Sequence, residues 1–246
     1  MEAINKKQIA LITGANKGIG LETARQLGRL GITVLVGARD EAKGNAAAEE
    51  LRKEGIDAHG LIIDVDSSAS IERAADLVEH EHRRLDILVN NAGVMLHDHD
   101  KSAGDQPIEV WRKTFETNVF GLITTTSAFL PMLRKSEAGR IVNLSSILGS
   151  ITQHSTPGSP IYGNHIPAYN VSKSAVNAFT VQLAYELRDT KIKVNAAHPG
   201  WVKTDMGGEG AMMEIVDGAK TSVTLATLGE DGPSGSYQHM GKTLPW

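Results

Sequence analysis

Tyr169-Asn170-Val171-Ser172-Lys173 places a phenol and an ammonium four residues apart. Within a helix, positions i and i+4 share one face, so both groups can enter the same cleft. A free tyrosine titrates near pH ~10, too high for proton work at neutral pH. A neighbouring cation favours the phenolate, and lowering the pKa by about three units needs roughly 4 kcal/mol. A partly desolvated lysine is expected to supply that and leave a proton donor suited to reducing a carbonyl. The same spacing also occurs in ordinary surface pairs. Of the four tyrosines, however, only Tyr169 has Lys at i+4; Tyr162, Tyr185 and Tyr237 are followed there by Ile166, Asp189 and Gly241.

Such a pair needs a scaffold. Gln8-Ile9-Ala10-Leu11-Ile12 reads as a strand buried on both faces. It runs into Thr13-Gly14-Ala15-Asn16-Lys17-Gly18-Ile19-Gly20, and Leu21, Ala24, Leu27 and Leu30 continue at helical spacing. Strand, glycine turn and helix form the setting of a phosphate-binding loop, in which backbone N–H groups face a pyrophosphate. The spacing Gly-x-x-x-Gly-x-Gly differs from Gly-x-Gly-x-x-Gly, and a βα turn without a ligand is the plainer alternative.

The second strand, Thr33 to Val36, exits through Gly37-Ala38-Arg39-Asp40. An acid there suits a ribose 2′-hydroxyl and an arginine a 2′-phosphate. Arg39 lies closer to the strand end, and Lys17 can add a second cation, so NADP(H) is expected over NAD(H). The alternative is that Arg39 and Asp40 only cap the next helix, Glu41 to Lys53. A third strand, Ala58 to Ile63, ends at Asp64-Val65-Asp66, where Asp64 could meet an adenine amino group or cap a helix with Ser67 or Ser68. A helix over 71–84 leads to a fourth strand, Asp86 to Val89, and the turn Asn90-Asn91-Ala92-Gly93. Polar turns after strands one and four fall on the ligand edge of a doubly wound sheet.

A long helical region from Trp111 to Arg134 holds Asn118 in its interior, where asparagine costs helix propensity and suggests a separate task. Strand five, Arg140 to Leu144, ends in Ser145-Ser146. The segment from Gln153 to Pro167, with Pro157, Gly158, Pro160 and Gly163, reads as a loop able to wall the cleft. The Tyr169 helix is expected over 168–188. Strand six, Lys191 to Ala197, ends in His198-Pro199-Gly200-Trp201-Val202-Lys203-Thr204-Asp205-Met206, and residues 200–220 form a candidate substrate lid. A seventh strand is expected near Ser236-Tyr237-Gln238.

With 246 residues, 41% hydrophobic and 22% charged, the chain reads as one α/β domain. A net charge of −4 gives no electrostatic case for nucleic acid or an anionic membrane. The absence of cysteine removes thiolate chemistry and disulfides. Residues 1–7 carry no apolar signal-peptide core, and no apolar run approaches the ~20 residues of a spanning helix, so a cytoplasmic protein is expected. His97-Asp98-His99-Asp100 has metal-like composition, but the spacing reads as a solvated loop, and no metal site is expected.

Thr13-Gly14-x-x-x-Gly18-x-Gly20, Asn90-Asn91-Ala92-Gly93, Asn118, Ser146, Tyr169-x-x-x-Lys173 and Pro199-Gly200, in this order, resemble the classical short-chain dehydrogenases/reductases. Within that family the chain looks most like the carbonyl reductases and related plant terpenoid and alkaloid reductases, on Gly14 to Gly20, Pro199 to Met206 and the terminal Trp246. The resemblance implies a Rossmann-type parallel sheet of about seven strands with helices on both faces. It implies Tyr169 as acid/base, with Lys173 as its pKa-lowering partner and ribose ligand. Ser146 would bond the substrate carbonyl, and Asn118 would hold a relay water. For the cofactor it implies Gly14, Asn16, Lys17, Gly18, Ile19 and Gly20 at the phosphates and Arg39 at the 2′-phosphate. Asp64 and Val65 would flank adenine, Asn91 and Gly93 the adenosine ribose region, and Val202 and Thr204 the carboxamide. The implied reaction is reversible hydride transfer from NADPH to the carbon of a small carbonyl substrate, giving the alcohol, while Tyr169 protonates the oxygen. An NAD-dependent alcohol dehydrogenase of the same fold is the alternative among enzymes, and a non-catalytic dinucleotide-sensing module the alternative from another class. The gap from Ser146 to Tyr169 exceeds that of most members but is shorter than in the resembling carbonyl reductases, whose insertion goes with a monomeric state; the oligomeric state stays open.

Overall fold

The computed structural model describes residues 7–96 and 102–246; the His97–Asp100 run lies outside the described residues. Seven parallel strands come in chain order: β1 (Ile9–Ile12), β2 (Thr33–Ala38), β3 (Ala58–Ile62), β4 (Ile87–Asn90), β5 (Arg140–Leu144), β6 (Lys193–Ala197) and β7 (Tyr237–His239). Apolar runs make buried parallel strands, as in β1, β2 and β4. The sheet order is β3-β2-β1-β4-β5-β6-β7, and a two-residue β8 (Lys242–Thr243) pairs antiparallel with β7. This adds an eighth strand to the expected seven. The turn between them has Met240 and Gly241 both at positive φ, 47° and 78°, the geometry of a tight hairpin.

Helices cover both faces. Side chains alternate along each strand, so Leu11, Leu35, Leu88 and Ile141 face α3 (Ser68–His82), α5 (Leu122–Leu133) and α7 (Pro167–Glu186). Ile12, Val34, Val36, Val89 and Val142 face α1 (Gly18–Arg29), α2 (Glu41–Lys53) and α8 (Ile215–Ala226). The strand order reverses between β1 and β4, which opens a crevice beyond their C-terminal ends.

Three segments differ from the expectation. The long helix around Asn118 is α4 (Ile108–Phe115) joined to α5 by a π-helical turn, Glu116–Gly121. A short helix α6 (Ile151–Ser155) takes the start of the expected 153–167 loop, its N-terminus capped by Ser150, which accepts from Gln153 N–H. Helix α8 begins at Ile215 and packs on α1, so residues 215–220 are helical. No helix among the described residues is long and apolar enough to cross a membrane.

Candidate active site

The β1 exit is fastened to the β4 exit by side chains. Thr13 Oγ1 accepts from the N–H groups of Asn91 and Ala92, both at 3.0 Å. Asn91 Nδ2 returns bonds to the carbonyls of Thr13 (2.8 Å) and Gly14 (3.1 Å). Asn91, expected near the adenosine ribose, therefore has its amide nitrogen spent on tying the two loops together.

The glycines then have specific reasons. Gly14 (φ 62°) and Gly18 (φ 59°) occupy the left-handed region. At Gly20 a Cβ would lie 2.5 Å from Asn91 Nδ2 and 2.6 Å from the Gly14 carbonyl. Helix α1 starts here without a side-chain cap, so its first N–H groups face the crevice. Thr204 stands across from this turn, its methyl 3.6 Å from where a Gly18 Cβ would sit. Val202 is buried beneath α8 and bridges to Met213. Uncapped N–H groups beside a cradle kept free of side chains fit a pyrophosphate. Asn16 and Ile19 are half-buried on the same turn.

Arg39 and Asp40 divide their work. Asp40 accepts the Lys43 N–H at 3.0 Å and caps α2. Arg39 is exposed and makes no ion pair or side-chain hydrogen bond among the described residues. Lys17, expected to be a second phosphate cation, is exposed and pairs with Asp205 at 2.5 Å across the mouth of the crevice. Asp64 accepts from the Asp66 N–H at 3.2 Å, while Ser67 caps α3. Val65 packs with its carbonyl against Gly121 of the π-helical turn, where a Cβ would be 2.5 Å away.

Asn118 is 1% exposed, and the π-helical turn aims its amide at the loop after β4. Its Oδ1 accepts from Val94 N–H at 2.7 Å; its Nδ2 donates to the Val94 carbonyl at 2.9 Å and to Ser172 Oγ at 3.0 Å. A Cβ on Gly93 would lie 3.3 Å from Asn118 Oδ1 and 3.6 Å from Lys173 Nζ, so this glycine is bracketed by both groups.

Ser146, Tyr169 and Lys173 are 9%, 8% and 5% exposed, a nearly dry cluster. The Ser146 side chain stands near the Tyr169 hydroxyl and favours its ionised form. Ser146 Oγ also accepts the Leu148 N–H at 3.2 Å, which leaves its own hydrogen available. Lys173 Nζ lies 5.6 Å from the Tyr169 ring centroid and donates to the Leu144 carbonyl at 2.8 Å.

The expected acidic phenol is corrected by this geometry. Burial pushes Tyr169 up to about 12, and the Ser146 side chain pulls only partly the other way. Burial also brings the Lys173 ammonium down to about 8. The ammonium sits over the ring rather than at the hydroxyl, so desolvation wins. At neutral pH the phenol keeps its proton, which is the form a proton donor needs.

Two polar residues here carry no expectation from the sequence. His198 accepts two backbone N–H bonds, and the Tyr237 hydroxyl is buried with no hydrogen-bond partner among the described residues. The first had a signal in its place beside Pro199-Gly200, at the end of a strand on the ligand edge. The second had none beyond its strand.

Similarity to known proteins shows the family of this chain. The profile of the short chain dehydrogenase family matches residues 8–214, and the chain belongs to that family. It is an oxidoreductase of that family. It is 39% identical to a short-chain dehydrogenase, anuI, of Penicillium roqueforti, over 91% of this chain and 90% of that protein. It is 34% identical to mouse carbonyl reductase [NADPH] 1, over 98% and 99% of the two chains. Among solved structures, NADPH-bound carbonyl reductase from chicken fatty liver superposes with a TM-score of 0.80 or better, 0.85, at 29% identity, covering 98% of this chain and 99% of that one.

Proposed function

We propose that this protein is an NADP(H)-dependent carbonyl reductase that converts aldehydes or ketones to alcohols, reversibly. The observation that carries the reading is the dry cluster of Ser146, Tyr169 and Lys173, with the Lys173 ammonium over the Tyr169 ring. Mouse carbonyl reductase and the chicken structure, both named with NADPH, support the cofactor. So does the use of the Asp40 carboxylate as a helix cap, with the Arg39 guanidinium exposed beside it at the β2 exit.

The pyrophosphate belongs on Gly14, Asn16, Lys17, Gly18, Ile19 and Gly20, with Arg39 at the 2′-phosphate. Asp64 and Val65 flank adenine, Asn91 and Gly93 line the ribose side, and Val202 and Thr204 take the carboxamide. Tyr169 and Lys173 hold the nicotinamide ribose. When bound, NADPH supplies the hydride. Ser146 donates its hydrogen bond to the substrate carbonyl and polarises it. Tyr169 gives its proton to the same oxygen as negative charge develops there. Lys173 stabilises the phenolate left behind. With its amide fixed on Val94 and Ser172, Asn118 keeps the Lys173 side of the pocket in register for a water-borne proton to return. The loop after Gly200 closes over the substrate.

The test is turnover of a panel of aldehydes, ketones and quinones with NADPH and with NADH. The reading expects NADPH oxidation with at least one carbonyl class and a clear preference for NADPH. Tight cofactor binding without turnover of any member, or a preference for NADH, contradicts it.

A further inference from the structure

Two backbone N–H groups from different loops converge on one ring nitrogen. Nδ1 of His198 accepts from Ile147 N–H at 3.2 Å and from Gly200 N–H at 3.3 Å. We propose that His198 is a positioning residue, a neutral imidazole staple that holds Ser146 in register with the segment leading to Val202 and Thr204. The proposal rests on the carbonyl-reductase reading, since it gives Ser146 its task there.

The tautomer follows from the partners. A nitrogen that accepts carries no proton, so His198 is neutral with its hydrogen on Nε2. His239 has the opposite form: its Nδ1 lies 2.9 Å from the His198 carbonyl, which can only accept, so that nitrogen bears the hydrogen. The two rings stand 4.7 Å apart. Burial, with His239 alongside, holds His198 down at about 3, so the acceptor persists throughout the physiological range.

The staple matters because of what it touches. Ile147 opens the short turn Ile147–Gly149, whose Leu148 N–H fixes Ser146 Oγ and whose Gly149 N–H bonds the Ser146 carbonyl at 2.7 Å. The Ile147 N–H has no acceptor within that turn, and His198 supplies it. On the other side, Gly200 has φ 95°, and its missing Cβ leaves room for Met213 and His239. One side chain therefore joins the β5 exit, which carries the carbonyl-binding serine, to the β6 exit.

The experiment compares His198→Phe, which keeps a ring but no acceptor, with His198→Asn, whose amide oxygen can occupy the Nδ1 position. We measure kcat, KM, NADPH affinity by fluorescence and thermal midpoint, and in wild type the 15N shifts of His198 between about pH 5 and 8. The proposal expects kcat to fall about ten- to a hundredfold in His198→Phe with NADPH affinity kept, and Asn to restore most of it. A His198→Phe enzyme that is less stable yet keeps kcat, or an Asn variant as impaired as Phe, overturns it. Should His198→Phe not fold, the spectra decide: an Nδ1 without a proton across the range supports the staple, and one titrating like free imidazole overturns it. Inactive wild type with an unprotonated Nδ1 would fault the function reading instead.

Discussion

The catalytic and phosphate halves of the crevice are built on opposite plans. Asn118, Ser146, Tyr169 and Lys173 are all below a tenth exposed, whereas the side chains of Lys17 and Asp205 are 70% and 84% exposed. Behind the catalytic half a buried ladder ties strands to helices. Asn90 Nδ2 donates to Thr126 Oγ1 and Asn143 Oδ1, and Asn143 Nδ2 donates to Thr180 Oγ1, each at 2.9 Å. Ser145 Oγ donates to Asn177 Oδ1 at 2.6 Å. Groups that move a proton gain from a dry, preorganised surround. Charges that recruit a phosphate work as well from water, where they stay available. Geometry is fixed where the chemistry is and left open where the ligand brings its own charge.

Substitutions test that contrast. The largest effect is expected on the dry side: Lys173→Met should lower kcat by about 10²–10⁴-fold, with the loss seen in single-turnover reduction. Wild-type reduction should decline as pH rises through about 8, where Lys173 loses its proton. On the open side, Arg39→Ala should raise KM for NADPH by about 10- to 100-fold, the value of a charge-assisted phosphate contact. KM for NADH should hardly change; equal losses for both cofactors would break the contrast.

Stability should also report the dry side. His198 folds with a pKa near 3, lowered from 6.5, so the unfolded chain binds more protons between those values. Stability therefore falls as pH drops through that window. Urea midpoints from pH 7 to 4 should show this slope, and His198→Asn should flatten it. The smallest effect is expected at the mouth, where Asp205→Asn should change NADPH affinity by no more than about threefold, as for exposed ion pairs.

The chemistry of the fold was legible wherever a residue type had one physical use. Apolar runs marked β1, β2 and β4, and Asp40 with the run after it placed α2 at Glu41–Lys53. Tyr169 and Lys173 were visible because helical spacing puts them on one face. Spacing does not say which atoms a side chain meets, so Lys173 bonding Leu144, and the rise of the Tyr169 pKa, depend on tertiary burial. The π-helical turn at Asn118 adds no periodicity signal, and β8 is two exposed residues long. Helix α8 follows a glycine-rich stretch whose composition masks its start. The Lys17–Asp205 pair could not be read from spacing, because the two residues lie 188 apart in sequence.

The central claim is that Tyr169 delivers the proton. The direct measurement is single-turnover carbonyl reduction by Tyr169→Phe alongside an NADPH fluorescence titration of the same variant. The account predicts a rate lower by about 10²–10⁴-fold with cofactor affinity changed only modestly. A Tyr169→Phe enzyme that binds NADPH and still reduces carbonyls near the wild-type rate contradicts it.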